Sequence, residues 1–160
     1  VRKLKITMPF EIAINPTNLH VSGNAYILEG DSTEDFDRVP VGTPGKLVPT
    51  NYSIQRDQEI TVRFMWQTSG IFTAFLGGGK WTCDVLLEQM GGAETGVNPQ
   101  ASIGDAGVPN TYTVDVTLNK KTLSEGVYRF IARLRWSFAS GKPGPIVGFH
   151  ELGFVNVYED

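Results

Sequence analysis

Leu123-Ser124-Glu125-Gly126-Val127-Tyr128 runs without a break into Arg129-Phe130-Ile131-Ala132-Arg133-Leu134-Arg135-Trp136, and the reading of this stretch decides the fold. Ser, Glu and Gly supply the turn, Gly being the residue that most easily takes a backbone conformation closed to others. Beyond it Tyr128, Phe130, Ala132, Leu134 and Trp136 alternate with Arg129, Ile131, Arg133 and Arg135. Side chains of a strand point alternately to its two faces, so this pattern predicts a long strand with one apolar face and one carrying three arginines.

The same period of two recurs upstream. Ile60, Val62, Phe64 and Trp66 alternate with Thr61, Arg63, Met65 and Gln67. Trp81, Cys83, Val85 and Leu87 alternate with Thr82, Asp84, Leu86 and Glu88, and Tyr112, Val114, Val116 and Leu118 with Thr111, Thr113, Asp115 and Thr117. Near the N-terminus one strand is expected over Leu4 to Ile14, broken by Pro9, and a second over Leu19 to Leu28. The stretch from Asp31 to Pro49 has no period and reads as a loop. The last strand is expected over Val147 to Tyr158, with a bulge near Gly153 where the apolar phase changes. The span from Gly91 to Asn110 is long for a structureless loop and predicts a short strand around Ala101 to Ile103. Only Ile71 to Leu76 suits even one helical turn. Many strands separated by turn residues, with no helices between them, predict an antiparallel sandwich or barrel.

Leu123-x-x-Gly126-x-Tyr128 before an alternating strand resembles the tyrosine corner of immunoglobulin-like and fibronectin type III-like sandwiches. Trp81, at the head of an earlier strand, is similar to the core tryptophan of that architecture, and Phe64 and Phe130 fall where antibody domains place their bridging cysteines. The resemblance covers about Tyr52 to Tyr158. It implies an all-β, antiparallel immunoglobulin-like β-sandwich with additional N-terminal strands. Residues 1-160 then form a single domain, in which 1-51 supply extension strands and a loop and 52-160 the immunoglobulin-like core. Such sandwiches host many unrelated roles, so the likeness implies a fold and not a chemistry.

Composition narrows the classes of partner. A net charge of −3 offers no electrostatic attraction for nucleic acid or an anionic membrane. No run approaches the roughly 18 apolar residues of a membrane-crossing helix. Cys83 is the only cysteine, so no disulfide can form within the chain and packing must hold it together. The sequence opens at Val1 with no visible signal peptide, as a processed or excised segment does, and assigns no compartment.

Motifs of catalysis are weak. His20 and His150 each stand alone in a candidate strand, and Cys83 shares the apolar phase of Trp81 and Val85. Gly77-Gly78-Gly79-Lys80 lacks the first Gly and the Ser or Thr of a phosphate loop and reads as a turn feeding a strand. The acidic run through Asp31, Glu34, Asp35 and Asp37 is the one metal candidate: clustered carboxylates on a loop suit calcium, though the spacing is not that of an EF-hand. No other cofactor is indicated. Arg129, Arg133 and Arg135 face the carboxylates expected on the neighbouring strand, Asp84 and Glu88, which predicts cross-strand ion pairs.

The most suggestive surface is Ile71-Phe72-Thr73-Ala74-Phe75-Leu76, between two core strands and ahead of three glycines. Phe72, Phe75 and Leu76 either plug the open end of the core or form a binding patch. The expected function is a non-catalytic interaction or structural module with a protein partner. The alternative is a carbohydrate- or other ligand-binding module using Trp66, Trp136 or Tyr52 as a platform. A hydrolytic enzyme is the least supported reading.

Overall fold

A computed structural model describes residues 8–12, 14–29, 51–92 and 95–160. Its strands, in chain order, are β1 (Phe10–Ile12), β2 (His20–Glu29), β3 (Asn51–Gln55), β4 (Ile60–Ser69), β5 (Lys80–Gln89), β6 (Gln100–Gly104), β7 (Asn110–Leu118), β8 (Gly126–Ser137) and β9 (Pro143–Tyr158). A 3-10 helix, Ile71–Leu76, joins β4 to β5. The chain is all-β, in two sheets. One has the order β1-β9-β8-β5-β6 with β3 also on β9; the other has the order β2-β4-β7.

Alternation builds the core. Phe64 of β4, Trp81 and Val85 of β5, Phe130 and Ala132 of β8 and Val155 of β9 have no exposed surface, and both sheets feed one apolar cluster. Each large side chain so buried contributes on the order of 2 kcal/mol. Trp66 and Trp81 bridge the sheets at 5.7 Å between ring centres, and Tyr112 stacks on Trp66 at 5.1 Å. Asp105 ties this aromatic group to the chain beyond β6. Its Oδ2 accepts from Trp81 Nε1 at 2.7 Å and from the Tyr112 hydroxyl at 3.1 Å.

The corner forms as its residues suggest. Tyr128 is buried, and its hydroxyl donates to the Ser124 carbonyl oxygen at 2.9 Å. The bulge near Gly153 is also present: Phe130 pairs with Gly153 but Ile131 with Glu151, so Leu152 is the extra residue. Gly153 has φ 99°, a conformation few other residues adopt. The strand expected around Ala101 is β6.

Two expectations need correction. The strand over Leu4 to Ile14 reduces, among the described residues, to Phe10–Ile12. The strand Asn51–Gln55 carries too little alternation to stand out, yet it pairs in parallel with β9 from Phe154 to Tyr158. The antiparallel pattern therefore has one exception. β9 reaches 16 residues because its outer edge serves two partners, β1 at Ile146–Gly148 and β3 further along. The N-terminal strand expected over Leu19 to Leu28 is β2, which pairs with β4 over ten residues and buries Val21, Ala25 and Ile27. The loop expected over Asp31 to Pro49, with the candidate calcium ligands Asp31, Glu34, Asp35 and Asp37, lies outside the described residues.

Candidate functional site

Two surfaces emerge. The first is the outer face of the larger sheet, where β8 sits between β5 and β9. Arg133 lies directly opposite Asp84, and its Nε donates to both carboxylate oxygens at 3.0 Å while a terminal nitrogen adds a third bond. Asp84 points outward, but only 3% of it is exposed because Arg133 and Arg135 cover it. A hydrogen-bonded carboxylate favours the charged guanidinium, which raises the Arg133 pKa. Arg129 bridges Glu151 at 2.8 Å and Glu88 at 3.5 Å. Its bond to Glu151 holds that carboxyl below the ordinary range. The arginine stripe is thus mostly neutralised in place.

The second surface is the loop end around the 3-10 helix. Gly70 turns the chain at φ 103°, and the Thr73 hydroxyl donates back to its carbonyl at 2.9 Å. The Phe72 amide donates to the Asn18 carbonyl, which ties the helix to the start of β2. The three candidate residues then separate. Leu76 is buried in the core, and its carbonyl accepts from Trp136 Nε1 at 3.3 Å. Phe72 is partly buried against the core, and its ring packs edge-on to Phe75 at 5.3 Å. Phe75 is 74% exposed, as is Ile71.

No family model matches this chain, and no curated protein matches its sequence. The site must therefore be read from its own chemistry.

His20 is exposed at the start of β2, whereas His150 lies on β9 in the other sheet. His150 faces the same side as Ala132 and falls between the register of β1 and that of β3. Its Nδ1 is buried with no hydrogen-bond partner among the described residues, and burial lowers its pKa. Cys83 is fully buried; burial, then the charge of Asp84, pushes its thiol far up, which disfavours the reactive thiolate. Among the described residues no group of three or more His, Cys, Asp and Glu side chains is placed to hold a metal ion.

Trp66 and Trp136 are 2% and 3% exposed, which overturns a sugar platform built on either ring. Gly79 is where the triple glycine matters. A Cβ there would lie 2.5 Å from the Trp136 ring and 2.6 Å from the Ser137 carbonyl, so the turn needs a bare backbone to reach β5. No helix among the described residues is long and apolar enough to cross a membrane.

Sequence reasoning missed two features. Val108 and Phe138, 55% and 47% exposed, belong to connections that pack on the chain after the helix, Val108 through the Gly107–Gly77 contact and Phe138 through Trp136. Both sit among turn residues, where no period marks them. A groove of about 360 Å³ also opens on the outer sheet face, lined by Lys80, Thr82, Ser102, Arg135 and Ser137. These residues come from three strands, β5, β6 and β8, that only pairing brings together.

Proposed function

We propose that this chain is a non-catalytic interaction module, a single immunoglobulin-like β-sandwich that holds a protein partner at the loop end carrying Ile71 and Phe75. The strand order supports the immunoglobulin-like reading. β2, β4 and β7 follow the order A-B-E of that architecture, and β9, β8, β5 and β6 the order G-F-C-C′. The bond from Tyr128 to the chain just upstream agrees with a tyrosine corner.

One observation carries the functional reading. Ile71 and Phe75 are the most exposed large apolar side chains described, yet they stand on a helix whose own Leu76 and Thr73 are buried. Apolar groups held in water on a rigid support suit a docking surface, since little order is lost when a partner covers them. Phe72 buttresses Phe75 from the core side.

The double variant Ile71→Ser/Phe75→Ser tests this. Capture of proteins from an extract of the source cells, quantified by mass spectrometry for wild type and variant, should lose specific partners in the variant. Its melting temperature should stay within about 2 °C of wild type, as expected when exposed side chains change. Identical captured sets would sink the proposal.

A further inference from the structure

The groove on the outer face of the larger sheet presents cations that the described carboxylates pair weakly or not at all. From the far end of β8 toward the groove, the supply of carboxylates runs out. Arg129 has two, Glu88 and Glu151. Arg133 takes three hydrogen bonds to Asp84. Among the described residues Arg135 has only the same Asp84, whose Oδ1 lies 3.7 Å from its buried Nε, too far for a hydrogen bond. Lys80, in the groove wall, has no carboxylate within ion-pair distance among the described residues. None of the lining residues is acidic. With its side chain 43% exposed and only a 3.7 Å contact to Asp84, Arg135 keeps charge that an incoming oxyanion can pair.

The remaining lining is chosen for neither a bare ion nor an apolar molecule. Thr82, Ser102 and Ser137 bring hydroxyls and Gln100 an amide, set against a floor of Gly144, Ile146 and Val147. Register places Ser102, Thr82, Arg135 and Val147 in one row across β6, β5, β8 and β9, so these groups share one sheet face. The hydroxyls of Thr82 and Ser102 lie 3.3 Å apart and offer a paired donor and acceptor. A volume near 360 Å³ suits one or two sugar rings. We propose that this groove binds the carboxylate of an acidic saccharide, with Arg135 and Lys80 holding the oxyanion and the hydroxyl row holding the ring hydroxyls. Binding here is independent of the partner surface at Ile71 and Phe75.

Amide NMR titrations with galacturonate trimer, glucose and sodium sulfate test it. The trimer should give saturable shifts at Thr82, Ser102, Arg135 and Ser137, weakened by added salt. Arg135→Gln should lower the affinity about tenfold, the expected loss of a charge-assisted pair. Lys80→Gln, at an exposed position, should lower it by a smaller factor with the spectrum otherwise unchanged, which separates lost binding from lost folding. No saturable shift with the trimer, or unaltered affinity in both variants, overturns the site. Glucose binding as well as the trimer overturns the role of the cations. Sulfate binding as well overturns the saccharide assignment and leaves an adventitious anion only.

Discussion

The two surfaces of this molecule solve opposite problems with one rule of alternation. On the outer face of the larger sheet, β8 puts Arg129, Arg133 and Arg135 outward, and β5 and β9 meet them with Glu88, Asp84 and Glu151. At the loop end, Ile71 and Phe75 point outward with none of the described residues covering them. Charges placed on paired strands find counter-charges because registration sets neighbours face to face. Apolar groups on a connection have no such neighbour, and they remain available. The comparison separates surface features that the fold consumes from those it leaves over.

Each region also contains its own contrast, and substitutions measure it. At the loop end, Leu76→Ala should be the most damaging change, costing about 2–5 kcal/mol, because Leu76 is packed within the core. If urea unfolding shows a loss below about 1 kcal/mol, the helix is not anchored as described. On the charged face, Asp84→Ala should come next. It removes the buried acceptor of Arg133 and, among the described residues, the only acidic neighbour of Arg135, and should cost about 2–3 kcal/mol, since both guanidinium groups keep some access to water. Equal stability of Asp84→Ala and wild type would show that the arginines simply turn to solvent.

The weaker members of each pair should barely register. Glu151→Gln breaks an exposed pair with Arg129, and unfolding should shift only slightly, with the difference fading as salt rises. Acid acts in the same direction. The Glu151 carboxyl is held below its ordinary range in the folded chain, so its contribution is present above the unfolded value and lost as pH falls through the folded one. Wild type and Glu151→Gln should therefore converge in acid; a gap that persists there would mean the glutamate acts by packing. Phe75→Ser should be the smallest of all, within about 0.5 kcal/mol. A large loss there would merge the loop end with the core and remove its claim to a partner.

Much of the fold was legible from residue pattern, and the reasons are local. Trp81 to Leu87 and Tyr128 to Trp136 could be placed because a strand with one wet face writes its period into the chain. The bulge at Gly153 could be placed because a bulge shifts that period by one. The arginine partners Asp84 and Glu88 followed once β5 and β8 were taken as neighbours, whereas Glu151 on β9 did not. By contrast β3 is short and has no period to read, and a parallel pair is joined by no tight turn that would announce it. The candidate patch was half legible. Phe72, Phe75 and Leu76 stood out by composition, but composition does not say which way a 3-10 helix rolls.

The sequence by itself determined the long alternating strands, their buried faces, the corner at Tyr128 and the outward set of arginines, because each depends on neighbours one or two residues away. Tertiary structure alone decided that Leu76 goes inward while Ile71 and Phe75 stay out, that β3 joins β9 in parallel, and that Lys80, Ser102 and Arg135 share one groove. These outcomes depend on contacts between residues far apart in the chain, and no local period encodes them.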